Sequence, residues 1–182
     1  MYGYAYLYIC LLVLLFLRLG YFYSTPPTEK GTMTARQQLE HRGIPYNRAI
    51  FLREAADGNT AVVELFLAAG MDPNVKNLAH ETALWKAAEY GHLDTAKALL
   101  AKGADVNAKD VWDITPLMKA AEHGSPTLAR LFLANGADVQ AKDNLDRTAF
   151  ERGRAHGHSE LLQFLTAADT APSQLIQQEA KP

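Results

Sequence analysis

Gly70, Gly103 and Gly136 lie 33 residues apart, and so do Asp72, Asp105 and Asp138. Thr82, Thr115 and Thr148 form a third series in the same register, and Gly58, Gly91, Gly124 and Gly157 a fourth. A period of this length confines the chain to a stacked solenoid. One short unit cannot bury an apolar face alone and does so only against the next unit.

Each unit has the same internal punctuation. Thr115 is placed to cap a helix with Pro116 in its first position, where a missing N–H costs nothing. The segment LMKAAEH follows, with Ala120 and Ala121 permitting close approach of a neighbour, and Gly124 ends it. Ser125–Pro126 repeats the cap-plus-proline start, LARLFLAN makes a second helix, and Gly136 closes the unit. Across the second helices, Phe66, Leu99, Phe132 and Leu165 share one position, and Leu65, Ala98, Leu131 and Phe164 another. Both series are expected to face a continuous core. The reading is all-α, with helix–turn–helix pairs joined by turn fingers.

The segments ETALWKAAEYGHLDTAKALLAKGADVNAK and ITPLMKAAEHGSPTLARLFLANGADVQAK resemble the ankyrin repeat family, matching its T-P-L-H-x-A-A and G-A-D-V-N patterns. The resemblance runs from about Ile44 to Thr166 and implies repeats at 44–76, 77–109, 110–142 and 143–168. The opening GIPYNRAIFLREAADGNTAVVELFLAAGMDPN resembles a divergent first repeat of the kind found in bacterial ankyrin proteins. Before it, Thr34 and Gly43 bound a short capping helix at 34–43.

Several positions depart from the family pattern. Trp85, Met118 and Glu151 stand where the family carries histidine, so the usual histidine bonding between repeats is not expected. The turn glycine is replaced by Asn47, His80, Asp113 and Asp146, types that tolerate a left-handed backbone. Glu151, Arg152, Gly153 and Arg154 break the alanine pattern in the last unit and read as a polar cap. The tail 169–182 reads as disordered beyond its first few residues.

The amino-terminal stretch is of another kind. Tyr2 to Tyr23 is apolar with a single charge, Arg18, and holds six of the eight tyrosines, clustered at its two ends. As a helix it would extend about 33 Å at ~1.5 Å per residue, enough for the ~30 Å hydrocarbon core. Aromatic ends suit the headgroup regions. The expectation is a retained transmembrane helix at 1–23, followed by a polar linker at 24–33. A cleaved export signal and a buried soluble helix are the alternatives. A signal peptide would carry a basic start and small residues at a cleavage site, and neither is evident. Arg18, Lys30 and Arg36 follow the apolar run and no Lys or Arg precedes it, which puts the solenoid on the cytoplasmic side. Export would leave it periplasmic or secreted.

Charge and motifs narrow the function. The net charge is −2, and residues 43–169 hold 13 Lys and Arg against 17 Asp and Glu, not the basic surface a nucleic-acid binder needs. Cys10 is the lone cysteine, which excludes an intrachain disulfide and a cysteine-rich metal site. No phosphate-cradling glycine loop, H-E-x-x-H or G-x-S-x-G is present, so neither catalysis nor a cofactor is expected. His92 and His158 occupy a loop position that the resemblance marks as structural. His123 and His156 are 33 apart with His158 nearby, the one place where a metal or enzymatic role can be asked for, but no carboxylate or cysteine accompanies them at ligand spacing. Glu89 and Glu122 read as solvated helix ends.

The resemblance implies binding of another protein by the turn tips and the exposed ends of the first helices, on a concave face of a monomeric solenoid. Carried over position by position, the tips are Leu78, Ala79 and Glu81; Val111, Trp112 and Ile114; and Asn144, Leu145 and Arg147. The helix ends are Glu89 and Tyr90, Glu122 and His123, and Ala155 and His156, with Pro45, Tyr46 and Arg48 as first-unit equivalents. Trp112 is the expected centre, a rigid aromatic in an otherwise polar turn. The lipid bilayer is the second expected partner, through residues 2–23.

Overall fold

The computed structural model describes residues 33–170. The expected transmembrane segment at 2–23, the linker up to residue 32 and the tail from residue 171 lie outside the described residues. Among the described residues, no helix is long and apolar enough to cross a membrane.

Nine α-helices and no strand occur among the described residues. A lone helix, α1 (Ala35–His41), precedes four pairs: α2 (Arg48–Ala56) with α3 (Thr60–Ala68), α4 (Ala83–Glu89) with α5 (Leu93–Ala101), α6 (Pro116–His123) with α7 (Pro126–Ala134), and α8 (Ala149–Ala155) with α9 (Ser159–Thr170). First helices pack on first helices, α2 to α4 to α6 to α8, and second helices stack likewise from α3 to α9.

The caps sit where the sequence puts them. Thr82 and Thr115 side chains accept from the backbone N–H of Trp85 and Met118, and Ser125 accepts from Leu128. Pro116 and Pro126 begin their helices. Each second helix but the last then closes on a left-handed glycine: Gly70, Gly103 and Gly136 have φ of 92°, 84° and 85°. The next N–H reaches back five residues, as Met71 does to Phe66 and Ala104 to Leu99, satisfying the end of the helix.

Helix α1 follows the same pattern. Gly43 has φ of 67°, and the Ile44 N–H donates to Leu39 O at 2.9 Å. Leu39 is fully buried and extends the row Phe66, Leu99, Phe132 and Leu165, all buried. Thus α1, read from sequence as a cap, is built and packed as the second helix of a preceding half unit, against α3. Its spacing to Phe66 breaks the period because only residues 44–47 join Gly43 to α2.

That short junction corrects the first-unit assignments. Asn47 is extended (φ −149°) and caps α2 by accepting from the Ile50 N–H, so it does not occupy a left-handed turn. His80, Asp113 and Asp146 do, at φ of 60°, 59° and 56°. The companion series Leu65, Ala98, Leu131 and Phe164 is only half-buried, at the margin of the core. In the last unit Arg152 and Gly153 are buried and only Arg154 is exposed, so the expected polar cap there is in part interior.

Candidate interaction surface

Three fingers, at 77–81, 110–114 and 143–147, are built on one plan. The side chain of Asn77, Asp110 or Asp143 accepts two N–H groups of its own finger, those of Ala79 and Glu81, Trp112 and Ile114, and Leu145 and Arg147. A backbone bond closes each loop, Asp110 N–H to Ile114 O at 3.2 Å being the middle one. Neighbouring fingers are stitched together: Val111 N–H donates to Ala79 O, and Asn144 N–H to Trp112 O, each at 3.1 Å. Below them Asn74 donates to Gly103 O and accepts from Asp105 N–H, and Asn107 repeats both bonds one unit on. The tips are therefore fixed relative to one another.

At the tips, Leu78 is 95% exposed, Leu145 63%, Trp112 59% and Val111 48%, with Tyr90 at 52% on the helix side. Asn144, Arg147, His123, Ala155 and His156 are exposed as well, whereas Ala79 and Glu81 are half-buried. Ile114 was expected at the tip but is only 9% exposed. It precedes Thr115 and turns into the core cluster, as a residue must where the chain re-enters the stack. Tyr46 is also not a tip. Its ring stacks on Phe66 at 5.5 Å, its hydroxyl donates to Ala69 O, and Arg36 covers its other face. Pro45 and Arg48 are exposed, but the short junction forms no finger there.

Beside the fingers the first helices carry a chain of ion pairs that sequence reading missed. Lys86 bridges Glu81 at 2.8 Å and Glu89 at 3.3 Å; Lys119 bridges Glu89 at 3.5 Å and Glu122 at 2.9 Å. Arg152 joins Glu122 to Asp143, and Asp143 also holds Arg147 at 2.9 Å. Glu89 and Glu122 are thus not freely solvated ends. The signal was present: Lys86, Lys119 and Arg152 are themselves 33 apart. Burial pushes the Asp143 carboxyl up, but hydrogen bonds from the Arg147 and Leu145 N–H groups and the Arg152 and Arg147 side chains prevail and hold it at about 2. Burial acts on Glu122 in the same way and is outweighed by Lys119 and Arg152, leaving its carboxyl below the ordinary range.

Trp85 lies beneath this chain, with Lys86 and Lys119 each 4.7 Å from its ring centre. Its indole N–H donates to Ile114 O at 3.2 Å. A bond between repeats is therefore made at this position without histidine. Met118 and Glu151 turn locally instead, to the N–H groups of Thr115 and Thr148.

The histidines have structural roles. His92 donates to Ala56 O at 2.8 Å and His158 to Glu122 O at 3.0 Å, each tying a loop to the preceding first helix. Their rings lie on Gly58 and Gly124, where a side-chain methyl would overlap them. The equivalent residue between them is Ser125, and the ring of His123 covers Gly91 in its stead. His156 bonds Arg152 O and its ring lies parallel to that of His158, 6.3 Å away. Among the described residues, no group of three His, Cys, Asp or Glu side chains is placed to hold a metal ion. An open cavity of about 250 Å³ lies where the third and last units meet, between Val139, Phe150 and Leu165.

Left-handed glycines, paired helices and stitched fingers together describe a repeat architecture, and the comparison with known families agrees. Residues 51–143 match the family described as ankyrin repeats (3 copies), 93 of the 182 residues. No curated protein matches the chain. The match covers half the sequence and falls on α2 to α7 with the fingers between them, so the chain belongs to the ankyrin repeat family.

Proposed function

We propose that this chain binds another protein on its finger and first-helix face, performs no chemistry of its own, and is held at a membrane by Tyr2–Tyr23 with the repeats on the cytoplasmic side.

One observation carries the binding reading. Leu78, Val111, Trp112 and Leu145 are exposed together on fingers that backbone hydrogen bonds lock in place. Apolar groups clustered in water raise the free energy of the unbound protein, and burying them returns about 25 cal/mol per Å². Their rigid support removes most of the ordering cost of binding. For the tether, support comes from the length of the apolar stretch and the tyrosines at its two ends.

A photo-reactive residue placed in turn at 112, 145 and 97 in living cells tests the binding face. Crosslinks to one protein from 112 and 145, and none from 97 on the exposed side of α5, are expected; the reverse pattern refutes the reading. Carbonate extraction tests the tether. The full chain stays with the membrane if the segment spans it, and recovery of a mature chain lacking Tyr2–Tyr23 overturns that half.

A further inference from the structure

The charges beside the fingers alternate without a break: Glu81, Lys86, Glu89, Lys119, Glu122, Arg152, Asp143, Arg147. Four anions and four cations sum to zero, and each touches an opposite neighbour. Two of the three lysines at the finger bases are paired too, Lys109 with Asp113 at 3.6 Å and Lys142 with Asp146 at 3.9 Å, and the third, Lys76, donates to Lys109 O at 3.4 Å. Among the described residues no buried side-chain nitrogen or oxygen lacks a hydrogen bond. The fields of alternating charges cancel over a few ångströms, so the face exerts little net pull on a charged segment. A carboxylate or ammonium arriving from a partner would have to displace an ion pair that is already made and preorganised, and would lose its own hydration in doing so. The unsatisfied feature of the face is apolar: Leu78, Val111, Trp112 and Leu145.

Building on the finger-face reading above, we infer that the partner contributes an apolar segment of low net charge, laid across the three fingers. Affinity then comes from apolar burial around Trp112, and the ion chain acts as a neutral, rigid floor. A bilayer surface is disfavoured as the occupant, because the side chains of Asp113 and Asp146, 55% and 91% exposed, stand beside the tips and would have to enter the headgroup boundary with them.

The test uses the full chain, immobilised, to select from a random library of displayed peptides. Selected peptides are then measured against wild type and against Trp112→Ala/Leu145→Ala. The expected peptides are rich in large apolar residues and nearly uncharged. Their affinity changes less than about threefold between about 0.1 M and about 1 M NaCl, where the screening length contracts from ~10 to ~3 Å. The double variant binds them at least about tenfold more weakly. Strongly acidic or basic peptides that lose affinity with salt and with the double substitution would overturn the apolar partner while leaving the finger face standing. Peptides that bind the double variant as well as wild type would overturn the finger face itself. Failure to enrich any peptide, with Trp112-dependent self-association or binding to neutral phosphatidylcholine vesicles instead, would replace the apolar segment by a second copy or by lipid.

Discussion

The indole N–H of Trp85 donates to the carbonyl of Ile114, 3.2 Å away across the boundary between two repeats. The same carbonyl accepts from Asp110 N–H, which closes the finger that carries Trp112. One tryptophan thus braces the finger that presents the other. Trp85→Phe keeps a ring under Lys86 and Lys119 and loses the bond, at an expected cost of about 1 kcal/mol. Trp85→Ala also empties a buried site and should cost about 3–5 kcal/mol. Urea unfolding of both variants checks this; equal losses would mean that the buried ring contributes nothing beyond its hydrogen bond.

Arg152 is buried and serves both Asp143 and Glu122. Arg152→Met removes the cation that joins those carboxylates, leaving Asp143 only Arg147 and Glu122 only Lys119, and up to about 3–5 kcal/mol of stability should be lost. Arg152→Lys should restore little, since an ammonium cannot reproduce the planar fork. Hydrogen exchange should show α8 and α9 opening first, because terminal repeats have one neighbour only. Uniform loosening of all the repeats would argue against this local role.

Acid should act through the same cluster and through lowered carboxyls outside it. The Asp143 carboxyl sits at about 2 in the folded chain, below its ordinary value of 3.8, and Glu122, Glu54 and Glu151 are also lowered. A depressed carboxyl binds its proton more readily in the unfolded chain, so its stabilisation is complete above the unfolded value. It is lost as pH falls through the folded one. The melting temperature should therefore decline from about pH 5 towards pH 2. Asp143→Asn should be less stable at neutral pH and flatten that decline, and an unchanged slope would remove Asp143 from the account.

At Gly91 the backbone is left-handed (φ 79°) and the ring of His123 lies on the Cα. Gly91→Ala meets both obstacles and should cost more than about 1 kcal/mol. Adding His123→Ala removes the overlap but not the strain, so the double variant should recover part of the loss. Strict additivity in thermal unfolding would show that ring and glycine do not interact.

Much of this architecture was legible in the sequence, and the failures have physical causes. The period marked the helix pairs, and the row Phe66, Leu99, Phe132 and Leu165 is buried as its spacing requires. The period misleads where the chain leaves it. The junction 44–47 is too short for a finger, so Asn47 caps a helix and Tyr46 packs on Phe66. Ile114 looked like a tip by position, yet it is the residue at which the backbone turns back into the stack. The ion chain was visible as Lys86, Lys119 and Arg152, but charge on a helix says nothing of its partner until neighbouring helices are placed. The exchange of Ser125 for histidine, covered by His123, depends on proximity across a turn that spacing alone cannot convey.

The central claim is that the exposed side chains at the finger tips serve binding and add little to the fold. Trp112→Ala tests it most directly, with affinity for the crosslinked partner and unfolding free energy measured on the same preparation. Affinity should fall by about 2 kcal/mol or more, as for a central aromatic contact. Stability should move by less than about 1 kcal/mol, because the 59% exposed side chain makes few contacts to lose. A sharp loss of stability with unchanged affinity would contradict the account and make Trp112 a packing residue between repeats.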